Sequence, residues 1–128
     1  VGEQGLGGLT VLVVDDDADI RELIRMVLTM KGCRVVEAAD GRQALELAQQ
    51  VHPALILMDL SMPVIDGYEA TRRLKAQPEL CGIPVIAVSA HCDPQHRQKA
   101  LAAGCSECVG KPVDFNQLGE LLKSLLVY

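Results

Sequence analysis

At 128 residues, 49% hydrophobic and 23% charged, the chain has the composition of one globular domain, large enough for a core without disulfide support. Its formal net charge of -5 excludes a phosphate-backbone binder, so no direct nucleic-acid partner is expected. No apolar run approaches the ~20 residues of a membrane helix, and the amino end, VGEQGLGG, lacks the charged start and apolar core of a signal peptide, so no membrane partner is expected either.

Beginning at Val1, the chain reads as a piece of something longer, processed or trimmed, with residues 1–8 a Gly-rich linker and residues 9–128 the domain. Leu9 to Val14 is an apolar strand that stops at Asp15, and Asp16 and Asp17 follow. Asp17 is placed to cap a helix whose Ile20, Leu23, Ile24, Val27 and Leu28 share one face, and Gly32 ends it. Cys33 to Glu37 is a second strand, about Gly41 to Val51 a second helix with Ala44, Leu45 and Ala48 on one side, and Pro53 closes that unit. Leu55 to Met58 is all apolar, suits a strand covered on both faces, and runs straight into Asp59. Gly67 opens a helix through Tyr68, Thr71 and Leu74 that fades before Pro78. Ile83 to Val88 is a fourth strand ending in Ser89, Pro94 to Ala103 a helix with a thin apolar stripe stopped by Gly104, and Cys105 to Gly110 a fifth strand running into Lys111 and Pro112. A last helix, about Phe115 to Leu126, carries Phe115, Leu118, Leu121, Leu122 and Leu125 at helical spacing.

Strict β/α alternation predicts an α/β fold, a doubly wound five-stranded parallel sheet with right-handed crossovers. The commonest order for such a sheet, 2-1-3-4-5, is flavodoxin-like and sets strands one and three side by side. Asp15, Asp16 and Asp59 then meet at the carboxyl edge, with Ser89 and Lys111 on the next two strand ends. A lone acid there is usually a cap or turn former, the ordinary reading for Asp17, Asp66 and Asp114. Three acids, a hydroxyl and a lysine at one edge ask for more. The carboxylates outnumber the ammonium by two charges, which a divalent cation would cancel. Mg²⁺ fits an oxygen-only donor set, with Mn²⁺ as its substitute. Asp59 then stays ionised and can act as a nucleophile toward phosphorus, with metal, Lys111 and the Ser89 hydroxyl to spread the phosphoryl charge.

The acid pair after strand one, MDLSMPVIDG, AVSA and KP together resemble the response-regulator receiver domain of two-component signalling, over essentially all of Leu9 to Leu126. The resemblance implies that Asp59 is the phosphoacceptor, that Asp15, Asp16 and the Ser61 backbone carbonyl complete the metal site, and that Ser89 is the switch hydroxyl. Lys111 matches the family lysine, with a peptide bond to Pro112 that can be cis, and Pro63 and Gly67 match the residues that shape the loop. It further implies a sensor histidine kinase or phosphotransfer protein as phosphodonor. A downstream effector would be reached through the face of helix four, strand five and helix five, roughly Cys92 to Leu126. Such a domain is no enzyme toward external substrates and catalyses only its own phosphorylation and dephosphorylation. Two departures stand out. Cys108 occupies the strand-five position where receivers often carry a switch aromatic, and the positions that tune phosphate lifetime hold Ser61 and His91.

Other functions share parts of this pattern. A receiver-like interaction module that is never phosphorylated would keep the fold. A Mg²⁺-dependent aspartyl-nucleophile phosphatase needs a second Asp two residues beyond the nucleophile as general acid, and Ser61 stands there. An FMN binder needs a phosphate-cradling loop where Asp15, Asp16 and Asp17 would repel it. Five scattered cysteines do not suggest a disulfide framework and fit a reducing, cytoplasmic location. Cys105 and Cys108, on opposite faces of a strand, read as packing rather than a redox pair. Cys92, beside His91, could join Cys108 in a metal site, although no second ligand pair has suitable spacing. His52 and His96 read as solvent-facing helix residues, Arg72, Arg73 and Lys75 as a solvated face, and Phe115 as core.

Overall fold

The computed structural model describes residues 8–62 and 65–126. Along it alternate β1 (Thr10–Val14), α1 (Ala18–Met30), β2 (Arg34–Ala38), α2 (Gly41–Val51), β3 (Leu55–Asp59), α3 (Gly67–Lys75), β4 (Val85–Ser89), α4 (Pro94–Ala103), β5 (Glu107–Gly110) and α5 (Phe115–Leu126). All strand pairs are parallel and the order is β2-β1-β3-β4-β5, the doubly wound sheet expected from the alternation. Residues 1–7 of the expected linker, and Pro63, lie outside the described residues.

The continuous apolar run of β3 follows from its central place, since every residue of the strand is buried. Leu55 and Leu57 pack with Val11, Val13, Ile24, Leu28, Leu118 and Leu122 beneath α1 and α5. Ile56 and Met58 point the other way, among Ala44, Ala48, Ala70, Leu74 and Ala87 under α2, α3 and α4. Alternate residues of one strand thus seed two core layers. No helix among the described residues is long and apolar enough to cross a membrane.

Helix starts match the expected chemistry, and most strand starts fall one or two residues later than expected. Asp17, Asp40, Asp66 and Asp93 each accept backbone N–H groups of the following turn as N-caps. β2 begins after Cys33 because the Cys33 N–H donates to Leu28 O and closes the end of α1, where Gly32 takes φ 94°. β4 begins after Ile83 and Pro84, since the Ile83 N–H donates to Leu80 O in the preceding turn. β5 begins two residues after Cys105, whose N–H donates to Ala100 O past Gly104 at φ 116°. Cys105 therefore precedes the strand rather than alternating within it, and both Cys105 and Cys108 pack into the layer under α3 and α4. The exposed His52 lies just beyond α2 as its left-handed cap, not within the helix. Arg72 and Arg73 pair with Glu69 on the surface, but Lys75 is no solvated residue: its Nζ donates to Cys81 O (3.0 Å) and Ile83 O (2.6 Å) and ties α3 to the loop before β4.

The start of α3 is pressed against the chain just beyond Asp59. The Gly67 N–H donates to Leu60 O at 3.2 Å, and a Cβ on Gly67 would lie 2.7 Å from Leu60 Cα and closer still to Asp59 O. Alanine would gain helix propensity worth up to ~1 kcal/mol. The clash is with backbone that cannot rotate away, so Gly67→Ala is expected to destabilise by about 1–3 kcal/mol in urea unfolding. Unchanged stability would mean that α3 does not dock there.

Candidate functional site

β1 and β3 are neighbours with Val14 opposite Met58, so the next residues, Asp15 and Asp59, come side by side. Each is only 2% exposed. Asp15 is held from three sides. Its N–H donates to Ala38 O (3.1 Å), its Oδ1 accepts the Asp17 N–H (2.8 Å), and its carbonyl accepts Arg21 Nη1 (2.7 Å). Asp16 is exposed at the mouth, and one carboxylate oxygen from each of Asp15, Asp16 and Asp59 falls within 4.8 Å of the others.

On β4, the next strand beyond β3, Ser89 pairs with Gly110 of β5, and the Lys111 N–H donates to Ser89 O at 2.9 Å. From there the Lys111 side chain reaches over the end of β4, with Nζ 3.3 Å from Asp59 Oδ1 and 3.5 Å from Asp15 Oδ2. The Lys111–Pro112 peptide is cis. Ser89 is buried, and its Oγ accepts the His91 N–H at 3.0 Å. That bond uses a lone pair and leaves the hydroxyl proton available to donate. Ser61 stands at the exposed rim, and its N–H donates to Asp59 Oδ1 at 3.0 Å. His91 is also at the rim, its ring stacked on that of His96 with centroids 5.3 Å apart.

Burial pushes the Asp59 pKa up to about 6, the Asp15 carboxylate adds to the rise, and the Ser61 N–H and Lys111 oppose it. Burial also acts against the Lys111 ammonium, but Asp59 and Asp15 outweigh it and hold its pKa above the usual range. One ammonium thus only partly compensates two buried carboxylates. Their oxygen-only donor set and excess charge fit a hard divalent cation such as Mg²⁺.

Two features escaped the sequence reading. Arg21 bridges the Asp15 carbonyl and Glu37 (Nε to Oε1, 3.2 Å), with Arg25 on the other Glu37 oxygen (3.1 Å), so a surface-looking arginine positions the loop of the acid pair. No spacing signal links residues on α1 to an acid on β2. Second, Cys92 and Cys108 are joined as a disulfide, with Cα atoms 6.1 Å apart, while Cys33, Cys81 and Cys105 are free. This corrects both the expectation of unbonded cysteines and the idea of a metal site at Cys92 and Cys108. In the sheet Cys108 lies opposite Ala87, on the side where the loop beyond Ser89 passes, and a separation of 16 residues carries no hint of that.

Fold and cluster together define a doubly wound α/β domain with an acidic pocket at the carboxyl edge of its sheet. The chain belongs to the response regulator receiver domain family of two-component signalling, whose model matches residues 11–123. The polar-differentiation response regulator DivK of Brucella ovis is 35% identical over 117 residues, covering 91% of this chain and 95% of its own. The chemotaxis protein CheY4 of Vibrio cholerae superposes with a TM-score of 0.88 at 31% identity, over 94% of this chain and 100% of that one. The receiver domain of the sensor histidine kinase PA1611 of Pseudomonas aeruginosa PAO1 gives a TM-score of 0.88 at 34% identity, over 95% of this chain and 100% of that one. That structure has a magnesium ion coordinated in its active site cleft.

The buried charge has a measurable cost. Because the folded pKa of Asp59 is raised above its unfolded value of ~3.9, its favourable contribution is present at low pH and is lost as pH rises through about 6. Without divalent cations, Asp59→Asn removes the charge while Asp15 keeps Lys111 paired, so the variant is expected to be more stable than the native chain by about 1–3 kcal/mol at pH 7.5. The gain shrinks as pH falls through about 6. Urea unfolding in EDTA at pH 5 and 7.5 measures it, and an Asn variant less stable at both would contradict it.

Proposed function

We propose that this domain takes a phosphoryl group from a phosphohistidine of a sensor histidine kinase or phosphotransfer protein onto Asp59, then changes conformation to signal to a downstream effector. The observation that carries this function is the buried Asp59 carboxylate with Lys111 Nζ 3.3 Å from one oxygen and two further acids beside it. Asp15, Asp16, Asp59 and the Ser61 backbone carbonyl would hold Mg²⁺, or Mn²⁺ in its place. Bound there, the ion supplies positive charge to the carboxylates and to the incoming phosphoryl oxygens.

An ionised Asp59 needs no base: one carboxylate oxygen attacks phosphorus in line as the P–N bond to histidine breaks. Lys111 donates to a phosphoryl oxygen, and the free proton of the Ser89 hydroxyl donates to another. Gly67 and the turn at Pro112 shape the loops around this pocket. Ser61 and His91, both on the rim, are the residues that set how readily water reaches the acyl phosphate. Residues 9–128 act as the receiver unit, in the cytoplasm. The effector is met through α4, β5 and α5, where Cys108 in place of an aromatic leaves the response to Ser89 and its loop.

The donor has a landing place beside the pocket. An apolar cleft lined by Ile20, Leu23, Ile24, Pro112, Val113 and Phe115 opens next to Lys111, and Leu23 and Met26 are half-exposed along α1. A helix carrying the phosphohistidine is the occupant that would bring phosphorus to Asp59 from this side. Leu23→Asp is therefore expected to slow transfer from a phosphorylated histidine-containing donor protein about tenfold or more, in keeping with an interface anchor worth over ~1.4 kcal/mol. It should leave phosphorylation by acetyl phosphate unchanged, since a small donor needs no docking. Equal slowing by both donors would place the defect in the pocket instead.

The decisive experiment is intact mass after incubation with acetyl phosphate, with and without Mg²⁺, on the native chain and Asp59→Asn. A Mg²⁺-dependent gain of one phosphoryl group, absent in the variant, is expected. No gain, repeated with a phosphohistidine donor, would overturn phosphotransfer and leave an interaction module on a receiver fold.

A further inference from the structure

The bond between Cys92 and Cys108 has no part in the chemistry at Asp59, yet it lies three residues from Ser89. Cys92 is partly exposed, with Sγ 4.0 Å from the Ser89 carbonyl, and Cys108 is buried in β5. The covalent ring they close contains the whole of α4. That helix is weakly held. It buries only Ala100 and Ala103, and its other side-chain ties are the Arg97–Glu107 ion pair, Lys99 Nζ over the Tyr68 ring at 4.3 Å and the His96 ring stacked on that of His91. Contacts of this surface kind contribute little in water. The segment entering α4 is continuous with the pocket, because the His91 N–H is bonded to Ser89 Oγ.

We propose that Cys92 and Cys108 are a reversible thiol-oxidation site, and that closing it pins the amino end of α4 and the Ser89 loop to β5. Thiol redox state then sets how far events at Asp59 can move this face. This last step rests on the phosphoacceptor function proposed above. The oxidant class is a low-molecular-weight disulfide such as glutathione disulfide. The more exposed Cys92 thiolate attacks one of its sulfurs, the S–S bond breaks, and one thiolate leaves and takes up a proton. The Cys108 thiolate then attacks the Cys92 sulfur of the mixed disulfide and expels the second thiol. Two cysteine thiols are oxidised, one external disulfide is reduced to two thiols, and a thiol reductant reverses the sequence. Cys81, exposed, and the buried Cys33 and Cys105 are unbonded in this structure, so among the five cysteines only Cys92 and Cys108 are bridged.

The test uses the 128-residue chain equilibrated in glutathione buffers from reducing to oxidising. Alkylation and peptide mass should find a Cys92–Cys108 linked peptide, lighter by two hydrogens, that is absent from Cys92→Ser. Hydrogen exchange should be about tenfold slower across α4 in the oxidised chain, as for a segment whose local opening is restrained. Cys92→Ser should show no such dependence on the buffer. With acetyl phosphate and Mg²⁺, exchange across α4 should change in the reduced chain and not in the oxidised one. Failure of the pair to bridge, or equal exchange in both redox states, would overturn the proposal. A reduced chain that takes up no phosphoryl group would overturn the phosphoacceptor function alone, since bridging and exchange without phosphate judge the cysteine site independently.

Discussion

A carboxylate almost wholly removed from water stands at the end of β3, and much of the surrounding structure keeps it there in ionisable form. Burial disfavours its charge, and Asp15 beside it adds repulsion. Lys111 is the nearest answer, yet it comes from β5, two strands away, so the parallel order of the sheet is what makes the pairing possible. The Ser61 N–H on one oxygen and the close seating of α3 at Gly67 fix the rest of the pocket wall. Remove the sheet order and the same five residues would be unrelated surface groups.

The acids of this edge fall into two populations. Asp17, Asp40, Asp66 and Asp93 sit at helix starts, where backbone N–H groups and the helix dipole compensate their charge. Asp15, Asp16 and Asp59 have no helix end of their own: single N–H groups of Asp17 and Ser61 reach Asp15 and Asp59, and among the described residues Lys111 is the one ammonium beside them. An acidic chain can thus carry many aspartates at one edge and still concentrate its uncompensated charge at a single point.

How much of this was legible in the sequence depended on how local the signal was. The apolar run ending at Asp59, the alternation of periods and the capping aspartates are written in neighbouring residues. The sheet order is not: 2-1-3-4-5 is the commonest order for such an alternation, and the meeting of Asp15, Asp59 and Lys111 depends on it. Strand starts were misjudged where an amide of an apparent strand residue, Cys33, Ile83 or Cys105, was still closing the previous turn. The roles of Arg21, Lys75 and Cys92 were hidden for a different reason. Each acts across elements on a partner that no spacing rule connects to it, a carbonyl of Asp15, carbonyls of the loop before β4, or a cysteine 16 residues on.

The contact between Lys99 and Tyr68 has a practical side. The chain has no tryptophan, two tyrosines and one phenylalanine, so its near-ultraviolet optics are sparse. Tyr68 belongs to α3 while the ammonium over its ring belongs to α4. A phenol whose electronic surroundings include a cation on the neighbouring helix acts as a built-in proximity gauge. Tyrosine emission and near-ultraviolet dichroism would register a displacement of α4 against α3 without any attached label.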